Sequence, residues 1–586
     1  MPQEAVLYER VLTDLSGGLN DRAAPLIQDN QCTSNSKDCF FNLLGGVETR
    51  YGNNVFNSVP GTGQSPLDFV MAFVTGAEDT LIAARQGLLY YIGAGTPGGS
   101  WTNMYYTNGT ATFTNGSSTV TLATGTSEWT TQLGASDKIS ADGSTFYTVS
   151  SVTNDTTLVL TANFAEGTTT AAYSARQITI SGRPAKGVMY NGSLYFQTGG
   201  VSNSIMYTSN GTSTRRQAAT AALVLLINFK NYLFGVRQDN VTNSSRLYWS
   251  ALLDAASWPA STFVDVSPSD GEPIRALVVH NDLLFIFKET SIWYLAGDVF
   301  DPSNPTYVLR KLANPQLIGT THGESVKVFG DKIMFLGPDG IYALTGLGSI
   351  VNITANSLRT TIRTYATLAS QLGTLNATEA AGVVHDDRYW LSVSTSQTAR
   401  NTKTIVVESN GAMGTHAFGV NNFVIARGTS GLPKGRILIG MAYSSGTTFQ
   451  PLYFDGTSVD DYVSGAQSAI NSIFETKVFN FGDPARTTHV MDVFVSYDNL
   501  TKPTGSTLSA NLLVYDDAGQ VGSTAAFTFP AGSTQDIAVQ KFAVDRDTNG
   551  LKIRVTNTAT SGYFRILSIA VTYKKQMMGS AKVITS

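Results

Sequence analysis

Charged residues are scarce in this chain of 586 residues. Asp, Glu, Lys and Arg make up 14% of it, against about a quarter in an average soluble domain. The formal net charge is −4, and no run of more than two Lys or Arg residues occurs. A protein that binds nucleic acid tightly neutralises the phosphates with a basic surface of Lys and Arg residues. The composition therefore argues against tight DNA binding. It is compatible with a channel through which DNA passes, because a near-neutral or acidic channel surface does not retain phosphates.

Cysteines, metal-binding motifs and long apolar segments are also lacking. Cys32 and Cys39 are the two cysteines; they cannot form a disulfide framework in so long a chain, so we expect two reduced, structural thiols. None of the five histidines belongs to a ligand motif, and we expect no metal and no cofactor. Residues 1–12 carry charges, and the longest apolar run, residues 221–227, is much shorter than a membrane-spanning helix. We therefore expect neither a signal peptide nor a membrane segment.

Glycine and small polar residues are plentiful, as in proteins built from short strands and many turns. Against this background one pattern recurs five times: a hydrophobic run reaches a ring residue, crosses a two-residue polar turn and becomes hydrophobic again. The ring residues are Tyr190, Phe229, His280, Phe329 and His385, at spacings of 39, 51, 49 and 56 residues. A repeated hairpin of this period is typical of β-propeller blades.

A second marker repeats in phase with the first, namely short strands that end in Tyr. They end at Tyr90, Tyr207, Tyr248, Tyr294, Tyr342 and Tyr453. The three middle spacings are one blade each. The last spacing fits two blades, with residues 404–407 as the strand that lacks its Tyr, and the first contains an insertion of about 70 residues. The markers predict six or seven blades between residues 66 and 465.

The repeats divide the chain into an all-β set of units. Residues 1–65 form an N-terminal segment, 66–103 the first blade, 104–176 an inserted small β-domain and 177–465 the rest of the propeller. The insertion contains a hairpin around Asn115 and Gly116. Period-two alternation in residues 470–577 predicts a C-terminal β-sandwich, and residues 578–586 form a polar tail. The best helix candidate covers residues 357–371.

Candidate catalytic residues have structural interpretations. His280 and His385 occupy the repeat position that Tyr and Phe fill elsewhere, so we interpret them as packing residues at blade turns. An Asp-box-like stretch around Asp142 is one residue short and unrepeated. Three acidic pairs are interpreted as solvated turns, because Asp favours turns: Asp386 with Asp387, Asp460 with Asp461, and Asp516 with Asp517. We predict no catalytic residue and no enzyme activity.

The N-terminal segment resembles a known family. Residues 15–20 read Leu-Ser-Gly-Gly-Leu-Asn and residues 42–52 read Asn-Leu-Leu-Gly-Gly-Val-Glu-Thr-Arg-Tyr-Gly. This arrangement resembles the opening of tail-tube, nozzle and packaged-DNA stabilisation proteins of short-tailed bacteriophages, in which such a segment precedes a β-propeller. The residues that carry the resemblance, taken as structural, are Gly17, Gly18, Asn42, Gly46, Arg50 and Gly52.

The resemblance implies a structural virion protein, the tail nozzle or hub, made in the cytoplasm of the host bacterium. Members form a ring of six copies below the portal and adaptor, extend the DNA channel, retain the packaged genome and permit its ejection. The implied partners are further copies of the chain, an adaptor or portal-side protein, and tail fibre, spike or needle proteins. Double-stranded DNA would pass through the lumen without specific binding.

The alternative is a receptor-binding or glycan-degrading tail component. Such a protein would expose aromatic residues to sugars, and Trp101, Trp129 and Trp258 are the first candidates, since they lie in loop-like sequence. A third possibility, a bacterial surface propeller, is disfavoured by the expected lack of a signal peptide.

Overall fold

The structure, a computed structural model, describes residues 7–575 except for the following segments. They are residues 22–30, 43, 57–68, 77, 86, 96, 178–186, 198–203, 220–222, 238–243, 299, 301–305, 314–315, 356–357, 359–379, 395–400, 429–436, 444–448, 455–457, 464–465, 482–486, 499–505, 517–518 and 528–535. The described chain is almost entirely β-strand, which confirms the predicted fold class. Among these residues we find no helix with the length and apolar character needed to cross a membrane. The helix candidate at residues 357–371 lies, apart from Leu358, outside them.

Six short strands precede the propeller. They are β1 (Leu7–Leu12), β2 (Gly18–Leu19), β3 (Cys32–Lys37), β4 (Cys39–Phe41), β5 (Val47–Thr49) and β6 (Asn54–Val55).

The first blade and the insertion follow. The blade contains β7 (Phe69–Phe73), β8 (Thr80–Arg85), β9 (Leu88–Gly93) and β10 (Thr102–Asn103). The insertion contains β11 (Thr110–Phe113), β12 (Thr119–Thr124), the helix α1 (Trp129–Gln132), β13 (Lys138–Ser140), β14 (Tyr147–Asn154), β15 (Thr157–Leu160), β16 (Thr169–Ala172) and β17 (Ser174–Arg176).

Six further antiparallel units complete the propeller, each named here by its place in the chain. The second blade is β18 (Val188–Tyr190), β19 (Ser193–Phe196), β20 (Ser204–Thr208) and β21 (Arg215–Ala218). The third is β22 (Leu223–Phe229), β23 (Tyr232–Arg237), β24 (Arg246–Trp249) and β25 (Phe263–Asp265). The fourth is β26 (Ala276–His280), β27 (Leu283–Phe287), β28 (Ile292–Ala296) and β29 (Val308–Lys311).

The fifth blade follows a 3₁₀ turn (Gly323–Ser325) and is β30 (Lys327–Phe329), β31 (Lys332–Leu336), β32 (Ile341–Thr345) and β33 (Ser349–Asn352). The sixth is β34 (Ala381–His385), β35 (Arg388–Val393), β36 (Lys403–Glu408) and β37 (Met413–His416). The seventh has three consecutive strands, β38 (Val420–Ala426), β39 (Ile437–Tyr443) and β40 (Phe449–Phe454).

The repeat markers occupy equivalent places in these blades. Each ring residue ends the first strand of its blade, and the polar pair after it makes the turn to the second strand. In the third-blade turn Lys230 and Asn231 both have positive φ, 50° and 63°, as a type I′ hairpin requires. The Tyr markers all lie in third strands, and residues 404–407 fall in β36, the third strand of the sixth blade. The described residues thus form six separate four-stranded sheets, and β34–β37 make a seventh such unit within a larger sheet.

Neighbouring blades share hydrophobic cores around the full circle. The core between blades is represented, in order, by Met71 with Phe196, Tyr195 with Leu233, Phe234 with Ile286, Phe287 with Phe335, Leu336 with Leu391, Trp390 with Phe454, and Ile439 with Leu81. The last pair joins the seventh blade to the first. The outer strand of the seventh blade is β6, which pairs with β40. The N-terminal segment therefore closes the ring.

The insertion is a small barrel-like sheet that rests on the second blade. Its sheet begins with β16 and ends with β17, which are consecutive in the chain, so one bent strand joins both edges. At the boundary the guanidinium of Arg216, in β21, binds both carboxylate oxygens of Asp137. The side-chain amide of Gln132 donates to the Arg216 carbonyl at 2.9 Å. These contacts fix the insertion against the propeller.

The strands after the propeller are β41 (Asp461–Val463), β42 (Ala466–Ser468), β43 (Ser472–Thr476), β44 (Thr488–Asp498), β45 (Thr507–Leu508), β46 (Asn511–Asp516), β47 (Gly519–Ala526), β48 (Ile537–Thr548), β49 (Lys552–Asn557), β50 (Gly562–Tyr563) and β51 (Arg565–Lys575). β41 pairs with β42 and β45 with β50 in separate two-stranded sheets, and the others form two stacked sheets with strands of the N-terminal segment. One sheet runs β4-β5-β51-β44-β48 with β1 also on β51. The other continues from the sixth blade through β3 into β43, β49, β46 and β47.

Candidate functional site

The residues that carry the family resemblance meet in one region, which we call the N-terminal clasp: residues 15–20 and 38–53 together with the segments of the propeller and sandwich that they contact. At its start, Gly18 has a positive φ of 72°, and a Cβ there would lie 2.4 Å from the backbone nitrogen of Met413 in β37. A Cβ on Gly17 would lie 2.7 Å from the backbone carbon of Gln31. Both glycines therefore permit close packing of backbone on backbone.

Asn42 and Gly46 build the turn between β4 and β5. The side-chain oxygen of Asn42 accepts hydrogen bonds from the backbone N–H groups of Leu44 and Gly46, at 3.0 and 2.9 Å. A Cβ on Gly46 would lie 2.8 Å from the Asn42 amide nitrogen and 3.0 Å from the carbonyl oxygen of Ile566 in β51. The turn is thus held by its own asparagine and pressed against the sandwich.

Arg50 is the centre of the clasp and is 1% exposed. Its Nε donates to Asp38 at 2.7 Å, and its two terminal nitrogens donate to the two carboxylate oxygens of Asp461, one of them at 2.8 Å. The guanidinium also lies 4.8 Å from the ring centre of Phe418. Burial alone would lower the pKa of Arg50, but the carboxylates of Asp461 and Asp38 raise it. Arg50 therefore stays charged and ties the N-terminal segment to the chain just after the seventh blade.

Gly52 brings the segment against the same stretch. Its N–H donates to the carbonyl of Ser458 at 2.8 Å, and a Cβ would lie only 2.0 Å from the carbonyl oxygen of Asp460. Asp460 is 2% exposed and accepts a hydrogen bond from the Ser561 N–H at 2.7 Å. The interpretation of Asp460 and Asp461 as a solvated turn is therefore wrong. Both carboxylates are tied to N–H donors, Asp461 to the N-terminal segment and Asp460 to the sandwich.

A neutral histidine lies beside the ion pair. His416 is 1% exposed and is surrounded by Phe40, Trp390 and Phe418, with ring centres 5.3 to 6.0 Å away. Burial lowers the pKa of His416 to about 3, although Asp38, whose Oδ1 is 3.8 Å from Nδ1, opposes this. Burial also acts to raise the pKa of Asp38, but the Arg50 guanidinium and the backbone N–H of Ala417 outweigh it and hold that pKa below its usual value.

The chemistry of the clasp is structural. Its charged groups are buried and paired, which fixes geometry and leaves little access for a substrate. In the described part of the chain, no cluster of three or more His, Cys, Asp or Glu side chains is arranged to hold a metal ion. Cys39 is buried, and burial raises the pKa of its thiol, while Cys32 is partly exposed.

The two repeat histidines lie where the sequence placed them, at the ends of first strands. His280 Nε2 lies 3.1 Å from the carbonyl oxygen of Asp331, in the turn of the following blade. The Tyr190 hydroxyl donates in the same way to the Asn231 carbonyl, at 2.9 Å. The ring position thus links one blade turn to the next, which supports the packing interpretation of His280.

The other acidic candidates divide between turns and strands. Asp142 accepts the backbone N–H groups of Ser144 and Thr145, at 2.8 and 2.9 Å, so it organises its own loop. Asp386 and Asp387 form a blade turn with positive φ values of 52° and 54°. Asp516 ends β46, 3.7 Å from Arg546, and Asp517 lies outside the described residues.

Of the three tryptophans considered for glycan binding, Trp129 is fully buried and its indole N–H donates to the Tyr173 hydroxyl at 3.0 Å. It cannot stack on a sugar in this conformation. Trp258 donates to the Ala255 carbonyl at 2.9 Å, and Trp101 packs against the core between the seventh and first blades.

Comparisons with known proteins do not assign the chain to a family. No family model and no curated protein matches the chain. A solved structure of PorZ, a surface component of the type-IX secretion system of Porphyromonas gingivalis, is 12% identical, with 75% of this chain and 44% of that chain covered and a TM-score of 0.31. The chain therefore spans less than half the length of that protein.

Two glycoside-processing proteins are similar at the same distant level. A glycoside hydrolase is 11% identical, covers 65% of this chain and 96% of its own, and has a TM-score of 0.24. The exo-beta-1,3-galactanase of Phanerochaete chrysosporium is 10% identical, with coverages of 66% and 95% and a TM-score of 0.21.

Sequence reasoning identified Arg50 but missed its partners Asp38 and Asp461 and the adjacent His416. Asp38 has a positive φ of 56° and stands in no motif. Its one signal is that a Lys-Asp-Cys stretch interrupts an otherwise β-like run, which indicates a break between strands and does not identify Arg50, 12 residues away, as its partner. Nothing in the local sequence around Arg50 points to Asp461, 411 residues away.

Proposed function

We propose that the protein is a structural virion component, the tail nozzle or hub of a short-tailed bacteriophage. In this proposal it forms a ring of six copies below the portal and adaptor, extends the DNA channel, retains packaged DNA and permits ejection. The observation that carries the proposal is the clasp, in which residues of the family resemblance hold the N-terminal segment against the rest of the chain. Gly18 packs on the backbone of Met413 in the sixth blade, Gly46 packs on Ile566 in the sandwich, and Arg50 binds Asp461 just after the seventh blade.

The architecture is suited to a part that bears force. The N-terminal segment supplies strands to the sandwich and the last strand of the seventh blade, and the sheet of the sixth blade continues into the sandwich through β3. A pull on either terminal region is thus opposed by many backbone hydrogen bonds and by buried ion pairs. A closed ring of blades leaves only short edges of its own.

The composition fits a channel wall. With a net charge of −4 and only 14% charged residues, the protein would not hold phosphates, so double-stranded DNA would pass without specific binding. We propose no enzyme activity and no cofactor. The proposed partners are further copies, an adaptor or portal-side protein, and fibre, spike or needle proteins, and the proposed location is the virion tail.

The test is electron microscopy of purified virions from the source of the sequence, with a small tag in the exposed turn at Asn115 and Gly116, where a Cβ at Gly116 meets no atom within 4 Å. We expect labelled density as a six-fold ring on the tail axis, in line with the portal. Density on peripheral appendages would instead favour the receptor-binding or glycan-degrading alternative, and absence of the protein from particles would overturn a virion role.

A further inference from the structure

One sandwich sheet has two open edges on opposite sides. Along residues 569–574 of β51, where β1 takes the place that β5 holds at residues 565–566, the strand order is β1-β51-β44-β48. We call these four strands the outer sheet. In the described part of the chain no strand pairs with the second edge of β1 or of β48. An unpaired edge presents N–H and C=O groups that another strand can bind.

Both edges carry exposed apolar side chains. On β1, Leu7 and Val11 are 57% and 47% exposed, and on β48, Ile537 and Val539 are 55% and 60% exposed. Natural edge strands are usually protected by charges, proline or bulges. Among residues 537–541 of β48, Lys541 is the one charged residue, so this half of the strand is open to pairing.

The apolar residues of the two edges share one face of the outer sheet. Val11 lies opposite Ala570, which lies opposite Phe494, which in turn lies opposite Lys541. Since side chains alternate between faces, Val539 lies on the same face as Lys541. Ala538 and Phe542, on the other face of β48, are buried in the sandwich core.

Strand directions allow one copy to continue the sheet of another. All three pairings in the outer sheet are antiparallel, so the four strands alternate in direction and β48 runs opposite to β1. A second copy in the same orientation can therefore place its β1 antiparallel to β48 with the same face outward. If Val11 of that copy lies opposite Val539, then Glu9 lies opposite Lys541, and the charges attract.

We propose that β1 of one copy pairs with residues 537–543 of β48 in the next copy, so that the outer sheet continues from subunit to subunit. This proposal rests on the proposed ring function and names its contact. The two surfaces are unlike, as a heterologous contact requires, and such contacts close into a ring when the rotation between copies is right.

Disulfide cross-linking of the full-length protein tests the pairing, with Val11→Cys and Val539→Cys combined in one chain. Within one copy three strand spacings of about 4.8 Å separate β1 from β48, too far for a disulfide, which needs Cα atoms within about 7 Å. We expect a reducible ladder of covalent oligomers under mild oxidation. Each single variant should give none. A dimer from either single variant would show two-fold pairing of like edges and would overturn the proposal, as would absence of the ladder.

A second variant measures the assembly itself. Val539→Lys adds an unpaired charge to the contact, and we expect native mass spectrometry to show at least a tenfold loss of assembled rings. The matched control is Val351→Lys on β33 of the fifth blade, where Val351 is 53% exposed and no change is expected. Equal assembly of the two variants would refute the contact. A six-fold ring on the tail axis without cross-links would refute the β1–β48 contact and leave the proposed function intact. Cross-linked rings found elsewhere would support the contact and refute the proposed function.

Discussion

Replacing Arg50 by Met removes the charge at the centre of the clasp while preserving an unbranched side chain. Asp38, 2% exposed, would lose the Nε donor at 2.7 Å, and Asp461 would lose a bidentate partner. Removal of one partner from a buried ion pair costs about 3–5 kcal/mol, because the other charge is left without compensation. The lost contact with the Phe418 ring adds about 0.5–2 kcal/mol.

The effect should be local, since a protein of several units has no single free energy of unfolding. Hydrogen exchange of β3, β4 and β5 is therefore the measurement, and we expect their protection to fall at least about 100-fold, the equivalent of roughly 3 kcal/mol. Arg50→Lys keeps the charge but loses the forked geometry, and an intermediate loss is expected.

The matched control is Arg310→Met on the exposed outer strand β29, which should change stability by no more than about 0.5 kcal/mol. If β3 to β5 are as well protected from hydrogen exchange in Arg50→Met as in Arg310→Met, the clasp is not held by its ion pair and the reasoning above is refuted.

Three further predictions concern other buried groups. Lys288 is fully buried and its ammonium binds Asp270, with Nζ–O distances of 2.5 and 2.7 Å. Asp270→Asn leaves this buried ammonium without a carboxylate, so it should lower protection of the third and fourth blades by about 3 kcal/mol or more, and Asp270→Asn with Lys288→Met should cost less than the single change. His416 has a folded pKa of about 3, below the ordinary value of about 6.5, so the folded state binds fewer protons than the unfolded state. Stability therefore falls as pH drops from 6.5 towards 3, at up to about 1.4 kcal/mol per pH unit. Thermal melts of His416→Phe should lack this slope, and an unchanged slope would contradict the low pKa of His416. Gly52→Ala should destabilise the clasp by about 1–3 kcal/mol, because its Cβ would lie 2.0 Å from a backbone oxygen, whereas Gly76→Ala, with no atom within 4 Å of its Cβ, should be neutral in the same melts.

Much of the propeller was predictable from the sequence. The ring residue before a polar turn marks the end of a first strand, and a Tyr or its equivalent marks a third strand, because strand alternation and turn conformation depend on a few neighbouring residues. Alternation in residues 491–497 likewise predicted β44. The number of blades needed one more fact, namely that β6 from the N-terminal segment completes the seventh.

The clasp was predictable only in part. Glycines with tight backbone contacts and a lone Arg stood out as a motif, but Asp461 was interpreted as a turn residue because acidic residues near glycine are usually solvated. What overrides that tendency is a contact 411 residues away in sequence.

The sequence by itself determined the strands, the turns and the blade period, since each depends on side chains within one hairpin. Only the tertiary structure decided that the N-terminal segment belongs to the sandwich and the last blade, that Arg50 meets Asp38 and Asp461, and that the outer sheet has two edges to which none of the described strands pairs. The physical reason is that such contacts join distant parts of the chain, as with Tyr563 and Glu48, 515 residues apart and 2.8 Å from oxygen to oxygen. Side-chain patterns within one hairpin carry no record of such contacts, so the local sequence does not reveal them.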